Sequence, residues 1–269
     1  MMEINFLETL KNDGFVKVPK FLNDKELNKV QKIVSQYSAA KGAHKSYFST
    51  NLYQLFLKVI KFDFNKFFQD FTILNLARKK KLNYISDKMF NKRSYLKFID
   101  GYFTPISDKD LLPWHTDQAY HGDEKNYDEF VNPDHAHIKF FIYLTPVGPN
   151  NGCTSYIPKS HKIGYAIRKG IYEKVLEYSP YFTLTEFRNF ISKPINLKYI
   201  NNYLKDSNAV NNFLKNTEKL EQGNNLVSEF DFAMNSGDAI IFDEGGVHKG
   251  SKSLINDRLV LRYLYSSKK

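Results

Sequence analysis

Apolar side chains recur at helical spacing through the first third of the chain and at strand spacing through much of the remainder. Leu27, Val30, Ile33, Val34 and Tyr37 mark one face of a helix over 25–37, with Asn23 and Asp24 placed to cap it. A second run, 52–76, is dense in Leu, Ile and Phe at spacings that suit packed helices. The cluster Arg78-Lys79-Lys80-Lys81 then reads as a solvated helix end or loop. From about Ser94 the texture changes to short runs of Ile, Val, Tyr and Phe bounded by turn residues, at 95–103, 138–145, 154–157, 239–242 and 259–265. Such runs predict an antiparallel sandwich or jelly roll. Between 164 and 223 the spacing is helical again, and a stretch that long between two strands is not a bare loop. The expectation is one mainly β domain over 1–269: a helical scaffold (1–93), a jelly-roll core (94–164 and 224–269) and a helical insertion or lid (165–223).

Composition narrows the class. The 269 residues are 42% hydrophobic, 16% aromatic and 25% charged, enough for a sizeable core and unlike a disordered or collagen-like chain. No apolar run approaches the roughly 18 residues of a membrane span, and the first residues lack the features of a secretory signal. Cys153 is the lone cysteine, so no internal disulfide forms and a cytoplasmic setting is expected. The net charge of +10 favours an anionic partner. Only six of the 39 basic residues are Arg, the side chain of bidentate base recognition, so nucleic acid is not expected, and the charge reads either as composition spread over a solvated surface or as a hint of an anionic small-molecule substrate. By the same scarcity, an Arg beside a motif is there for a reason.

The stretch Trp114-His115-Thr116-Asp117 carries the chemistry. In a strand, positions i and i+2 share a face with Cα atoms about 6.6 Å apart, so His115 and Asp117 can aim at one metal ion. Alone, such a triplet is as readily a surface polar pair. The best candidate for a third ligand is His248, which follows the apolar strand 239–242 and sits beyond Gly245-Gly246, where the backbone can turn tightly. Two His and one Asp make the facial set of non-haem Fe(II) oxygenases, with three positions left open. A 2-oxoacid can fill two and O2 the last. The far carboxylate of that cosubstrate needs a cation once buried. Arg258, ten residues beyond His248, is favoured, and Arg262, on the same face by alternation, is the alternative.

At this point the chain resembles the phytanoyl-CoA dioxygenase-like family of Fe(II)/2-oxoglutarate-dependent oxygenases over residues 95 to 265. The shared pieces, in order, are Trp114-His115-Thr116-Asp117, Phe140-Phe141-Ile142-Tyr143-Leu144, Asn150-Asn151-Gly152-Cys153, Ile157-Pro158-Lys159-Ser160-His161, His248 and Arg258. The resemblance implies a double-stranded β-helix, or jelly roll, with Fe(II) held by His115, Asp117 and His248. It also implies Arg258 on the 2-oxoglutarate C5 carboxylate, Phe141 beside the cosubstrate, and Ser251 as a nearby hydroxyl. Lys159 stands where the family usually has Gly, so a different turn is expected there. Asp117 is retained, whereas halogenating relatives lose this carboxylate, so hydroxylation or another oxidation is implied over halogenation, with release of succinate and CO2.

His161 is expected to order its loop; His44, His121, His135 and His137 are read as structural or exposed, and Cys153 as packed. The insertion and the residues after Asp117, among them Gln118 and Tyr120, are candidates for substrate selection. Relatives act on acyl thioesters, amino acids, phosphonates and natural products, so the resemblance names no substrate. Three rivals stand beside it: a cupin-like metal hydrolase or isomerase, a non-catalytic jelly-roll binding protein, and a basic nucleic-acid binder.

Overall fold

The computed structural model describes residues 2–39, 45–109, 112–117, 131–179, 181–221 and 228–267. His44, His121, Gln118 and Tyr120 lie outside the described residues. The N-terminal stretch folds as α1 (Met2–Asp13), β1 (Phe15–Val18), α2 (Asp24–Ala39), β2 (Lys45–Phe48), α3 (Leu52–Ile60), α4 (Phe64–Lys79) and α5 (Leu82–Phe90). Asn23 begins α2 as expected: its Oδ1 accepts from Glu26 N at 2.9 Å, and Glu26 Oε2 accepts from Asn23 N at 3.2 Å, a reciprocal cap. The apolar run from 52 breaks at residues 61–63, where Phe62 takes a left-handed φ of 55°. Arg78 and Lys79 close α4, and Lys80 pairs with Glu26 at 2.7 Å.

The strands that follow are β3 (Ser94–Thr104), β4 (Leu112–His115), β5 (His137–Tyr143), β6 (Thr154–Tyr156), β7 (Ala239–Asp243), β8 (His248–Gly250) and β9 (Arg258–Ser267). Six strands make one antiparallel sheet in the order β1-β7-β5-β9-β3-β2, and a smaller sheet runs β4-β8-β6. The two sheets form the expected jelly roll. One difference concerns the stretch read as mostly helical: β1 and β2 lie in it, and they are the two edge strands of the large sheet. Each spans four residues with a Lys inside, too short for alternation to stand out.

Alternation along the central strands separates two cores. In β7, Ala239 and Ile241 face the core built with α1–α5, whereas Ile240 and Phe242 face the barrel interior beside Tyr143, Tyr156 and Val260. Both faces are covered, which is why 239–242 reads as an unbroken apolar run. The insertion, α6 (Ser160–Tyr172), α7 (Leu184–Ser192), α8 (Pro194–Leu204) and α9 (Ala209–Glu221), packs a third core with Trp114 and Val247 of the small-sheet side. Among the described residues no helix is long and apolar enough to cross a membrane.

The Pro158-Lys159-Ser160-His161 element departs from expectation. Lys159 adopts φ 67°, so it makes the left-handed turn a glycine would make and accepts a strain of about 1–2 kcal/mol. Its neighbours explain why the turn is kept. Ser160 Oγ accepts from Val247 N at 2.8 Å and donates to Ile157 O at 2.6 Å, fastening the chain just before His248. His161 Nε2 meets Lys11 O at 3.1 Å and ties the same loop to α1.

Candidate metal centre

His115 ends β4 and stands opposite His248, the first residue of β8, in antiparallel register. The ladder thus sets the two imidazoles side by side, with ring centroids 4.4 Å apart. Asp117 lies just past the strand end rather than within it, on a segment pinned from two directions. Asp117 N donates to Glu244 O at 3.2 Å, and Thr116 N donates to Phe182 O of the insertion at 3.0 Å. The turn at Glu244–Gly246 that leads into β8 needs its glycine for closeness, because a Cβ at Gly246 would meet Tyr156 Oη at 1.9 Å. Two distant parts of the sequence therefore converge, and one potential donor atom from each of His115, Asp117 and His248 falls within 4.8 Å of the other two.

Hydrogen bonding fixes which nitrogens face inward. His115 Nδ1 lies 2.6 Å from Pro113 O, and His248 Nδ1 lies 2.9 Å from Gly246 O. A carbonyl oxygen only accepts, so each Nδ1 carries its proton and, in the neutral ring, each Nε2 presents a lone pair. His115 Nε2 is buried with no hydrogen-bond partner. His248 Nε2 faces Asp117 Oδ2 at 3.0 Å, and His115 Nε2 faces Asp117 Oδ1 at 3.5 Å. Burial and the neighbouring His115 hold the His248 imidazole below its ordinary 6.5. Burial opposes ionisation of Asp117, but Lys139 and His248 outweigh it and keep the carboxyl well below its ordinary 3.8. Two lone pairs and a carboxylate aimed at one another repel unless a cation lies among them, so the donor set fits a divalent metal.

The same cavity is lined by Tyr102, Lys139, Phe141, Thr154, Arg258 and Arg262, among others. Its two arginines differ. Arg262 is engaged, donating through Nε to Asp100 Oδ1 at 2.8 Å and through Nη2 to Asp100 Oδ2. Arg258 is 3% exposed, and no carboxylate among the described residues pairs with it. Its Nε has no partner, and Nη2 reaches Thr154 Oγ1 at 3.5 Å. Its guanidinium lies over Tyr102, Tyr143 and Phe141 at 5.7, 5.8 and 5.9 Å. A buried cation without a counter-charge is costly, and a ligand carboxylate would complete it.

The expected Ser251 hydroxyl is elsewhere. It sits 3.2 Å from Cys153 Sγ and is not in the cavity lining; Thr154, which is, brings its Oγ1 to 3.5 Å from Arg258 Nη2. Among the described residues none of the insertion lines the cavity, though it brings the Phe182 ring to 5.2 Å from His115. Sequence reasoning also passed over Lys139. This buried side chain bridges Asp117 and Glu244, the latter at 2.8 Å, while His137 Nδ1 lies 3.0 Å from the other oxygen of Glu244. Burial disfavours its charge, yet the two carboxylates hold its amine above the ordinary 10.5. His137, read as structural, has that role here.

Fold and cluster together define a jelly-roll protein with a His-Asp-His cluster that could hold a metal ion. The chain belongs to the phytanoyl-CoA dioxygenase (PhyH) family, whose model matches residues 10–254. No curated protein matches it in sequence. Among solved structures it is similar to the epimerase SnoN in complex with Fe3+, alpha ketoglutarate and nogalamycin RO (TM-score 0.57, 13% identity, 98% of this chain and 83% of that one). It is also similar to HygX from Streptomyces hygroscopicus with nickel, 2-oxoglutarate and hygromycin B bound (TM-score 0.56, 14% identity, 98% and 87% covered). A third is the carbocyclase SnoK from nogalamycin biosynthesis (TM-score 0.54, 11% identity, 98% and 83% covered). At these identities the likeness is one of fold. The cofactor set that suits the family and the donor atoms is Fe(II), with 2-oxoglutarate and O2 as cosubstrates.

Proposed function

We propose that the protein is an Fe(II)- and 2-oxoglutarate-dependent oxygenase that hydroxylates a small, anionic molecule. His115, Asp117 and His248 are its metal ligands, and Arg258 is the anchor of the 2-oxoglutarate C5 carboxylate. The observation that carries this reading is Arg258, a buried guanidinium with no carboxylate partner among the described residues, in the cavity that holds the His-Asp-His cluster. A hydrolase or isomerase using the same triad would have no use for it. When bound, Fe(II) and 2-oxoglutarate supply the oxidising power: O2 is consumed, one oxygen atom goes to succinate with loss of CO2, and the other goes to a substrate C–H bond as hydroxyl.

The chain's own residues orient and exclude. Pro113 and Gly246 carbonyls hold the histidine tautomers, Lys139 steadies the Asp117 carboxylate, and Phe141 with Tyr102 walls off water around Arg258. Lys45 adds positive charge to the cavity lining, which supports an anionic substrate. The epimerase and carbocyclase among proteins of similar fold make rearrangement the alternative oxidative outcome.

Anaerobic titration of 2-oxoglutarate into protein loaded with Fe(II), followed by a metabolite screen for succinate release in air, tests the reading. Tight binding that requires the metal is expected, with succinate formed in step with one class of product. Protein that takes up metal yet ignores 2-oxoglutarate would overturn it in favour of a cupin-like enzyme.

A further inference from the structure

The hairpin of α3 and α4 presents an apolar face that the described residues leave exposed. Tyr53, Phe56 and Ile60 recur along α3 at helical spacing, Phe64 and Phe68 do so along α4, and Phe62 stands in the turn between them, in ring contact with Phe64 at 6.3 Å. These six side chains are 50 to 82% exposed. Single exposed apolar residues are ordinary, but a grouped set is not. Phe62 is the most telling. It is 82% exposed and held at φ 55°, a left-handed conformation that costs a non-glycine residue about 1–2 kcal/mol. A turn needing only that backbone would be served by Gly or Asn; here the strain places a phenyl ring in solvent.

We infer that this face is the interface of a homodimer, a second copy of the chain being its partner. Area is the first argument. At roughly 200 Å² for a large side chain, the six offer on the order of 750 Å² per copy, close to the ~800 Å² each partner contributes to a standard interface. Charge is the second. Although the whole chain carries +10, the charges beside the patch are mostly neutralised in place, Lys58 by Asp70 and Lys66 by Asp63 at 3.2 Å, which leaves Lys61. A neutral, aromatic centre meets its own copy across a twofold axis without like-charge repulsion, as homodimer interfaces require. An anionic lipid surface would instead call for free lysines around the apolar face, and two of these three are already in ion pairs.

Sedimentation velocity and light scattering on the full chain test this. At about 50 µM the expected mass is twice 31.5 kDa, falling toward 31.5 kDa on dilution. The double substitution Phe62→Asp with Phe68→Asp should give a monomer with unchanged far-UV dichroism. Phe62→Ala, the gentler change, should raise the dimer dissociation constant by about tenfold or more, the effect of losing a buried aromatic anchor. A wild-type monomer at that concentration overturns the inference. So does a dimer indifferent to Phe62→Ala, and so does a monomer that floats with anionic phosphatidylglycerol vesicles in a Phe62-dependent way.

Discussion

Replacing Arg258 by Met separates a structural guanidinium from a ligand-holding one. Arg258 is buried, its Nε is unpartnered, and the rings of Tyr102, Tyr143 and Phe141 stand 5.7–5.9 Å from its Cζ. Taking such a charge out of water costs several kcal/mol, and cation–π contacts return about 0.5–2 kcal/mol each, so the ligand-free protein gains little from it. Methionine keeps the apolar bulk and discards the charge. The ligand-free variant should therefore be as stable as the wild type, or up to ~2 kcal/mol more stable.

The bound state reverses the sign. Truncating one member of a buried charge pair costs about 2–5 kcal/mol, a rise in the 2-oxoglutarate dissociation constant of roughly 30- to 4,000-fold. Thermal melts with Ni(II), with and without 2-oxoglutarate, show both effects at once. At a ligand concentration near 100 times Kd the wild type gains about 2.7 kcal/mol, or roughly 5–10 °C for a domain of this size. The variant at the same concentration should gain less than about 1 kcal/mol, or no more than about 3 °C. Arg258→Met protein that melts several degrees early without ligand, yet keeps the full 2-oxoglutarate shift, would refute the assignment of the carboxylate site.

Three further substitutions or conditions probe the frame around the cluster. Lys139→Met strips the cation from between Asp117 and Glu244 and should cost about 3–5 kcal/mol in urea unfolding, with part recovered on adding Glu244→Gln; equal losses in single and double variants would argue against the bridge. Gly164→Ala would set a methyl 2.4 Å from the Gly245 carbonyl oxygen, backbone against backbone, so α6 and the turn before His248 must part. A loss of about 1–3 kcal/mol, together with weakened Ni(II) binding, is expected from titration calorimetry and urea curves. His161 and His248 both have folded pKa values held below the ordinary 6.5, chiefly by burial, so the unfolded chain binds more protons as pH falls. Their contribution is complete above about pH 6.5 and is lost as pH drops toward the folded values; the metal-free melting temperature should fall over that window, and less steeply in His161→Asn.

What could be read from the chain followed the strength of each periodic signal. The central strands β5, β7 and β9 lie between two cores, so their apolar runs are unbroken and conspicuous, whereas β1 and β2 are four-residue edges that mix with the helical texture around them. The two histidines and Asp117 were legible because their residue types and order match one chemistry. Lys139 was legible in principle. It alternates with His137 and Phe141 along β5, so it points into the barrel, and a lysine fixed there requires carboxylates on two sides. What concealed it was that Glu244 lies over a hundred residues away, in a turn whose glycines draw attention to the backbone instead.

The hydroxyl beside Arg258 shows how a register rule corrects a linear one. Along β8, His248 and Gly250 fall on one face by alternation, so a side chain at 251 points the other way, and Ser251 accordingly meets Cys153. Gly250 offers no hydroxyl at the position two residues past His248. In the ladder, Gly250 pairs with Thr154 of β6, whose Oγ1 reaches to 3.5 Å of the Arg258 guanidinium. The hydroxyl on that face of the sheet is thus carried by the neighbouring strand, by Thr154.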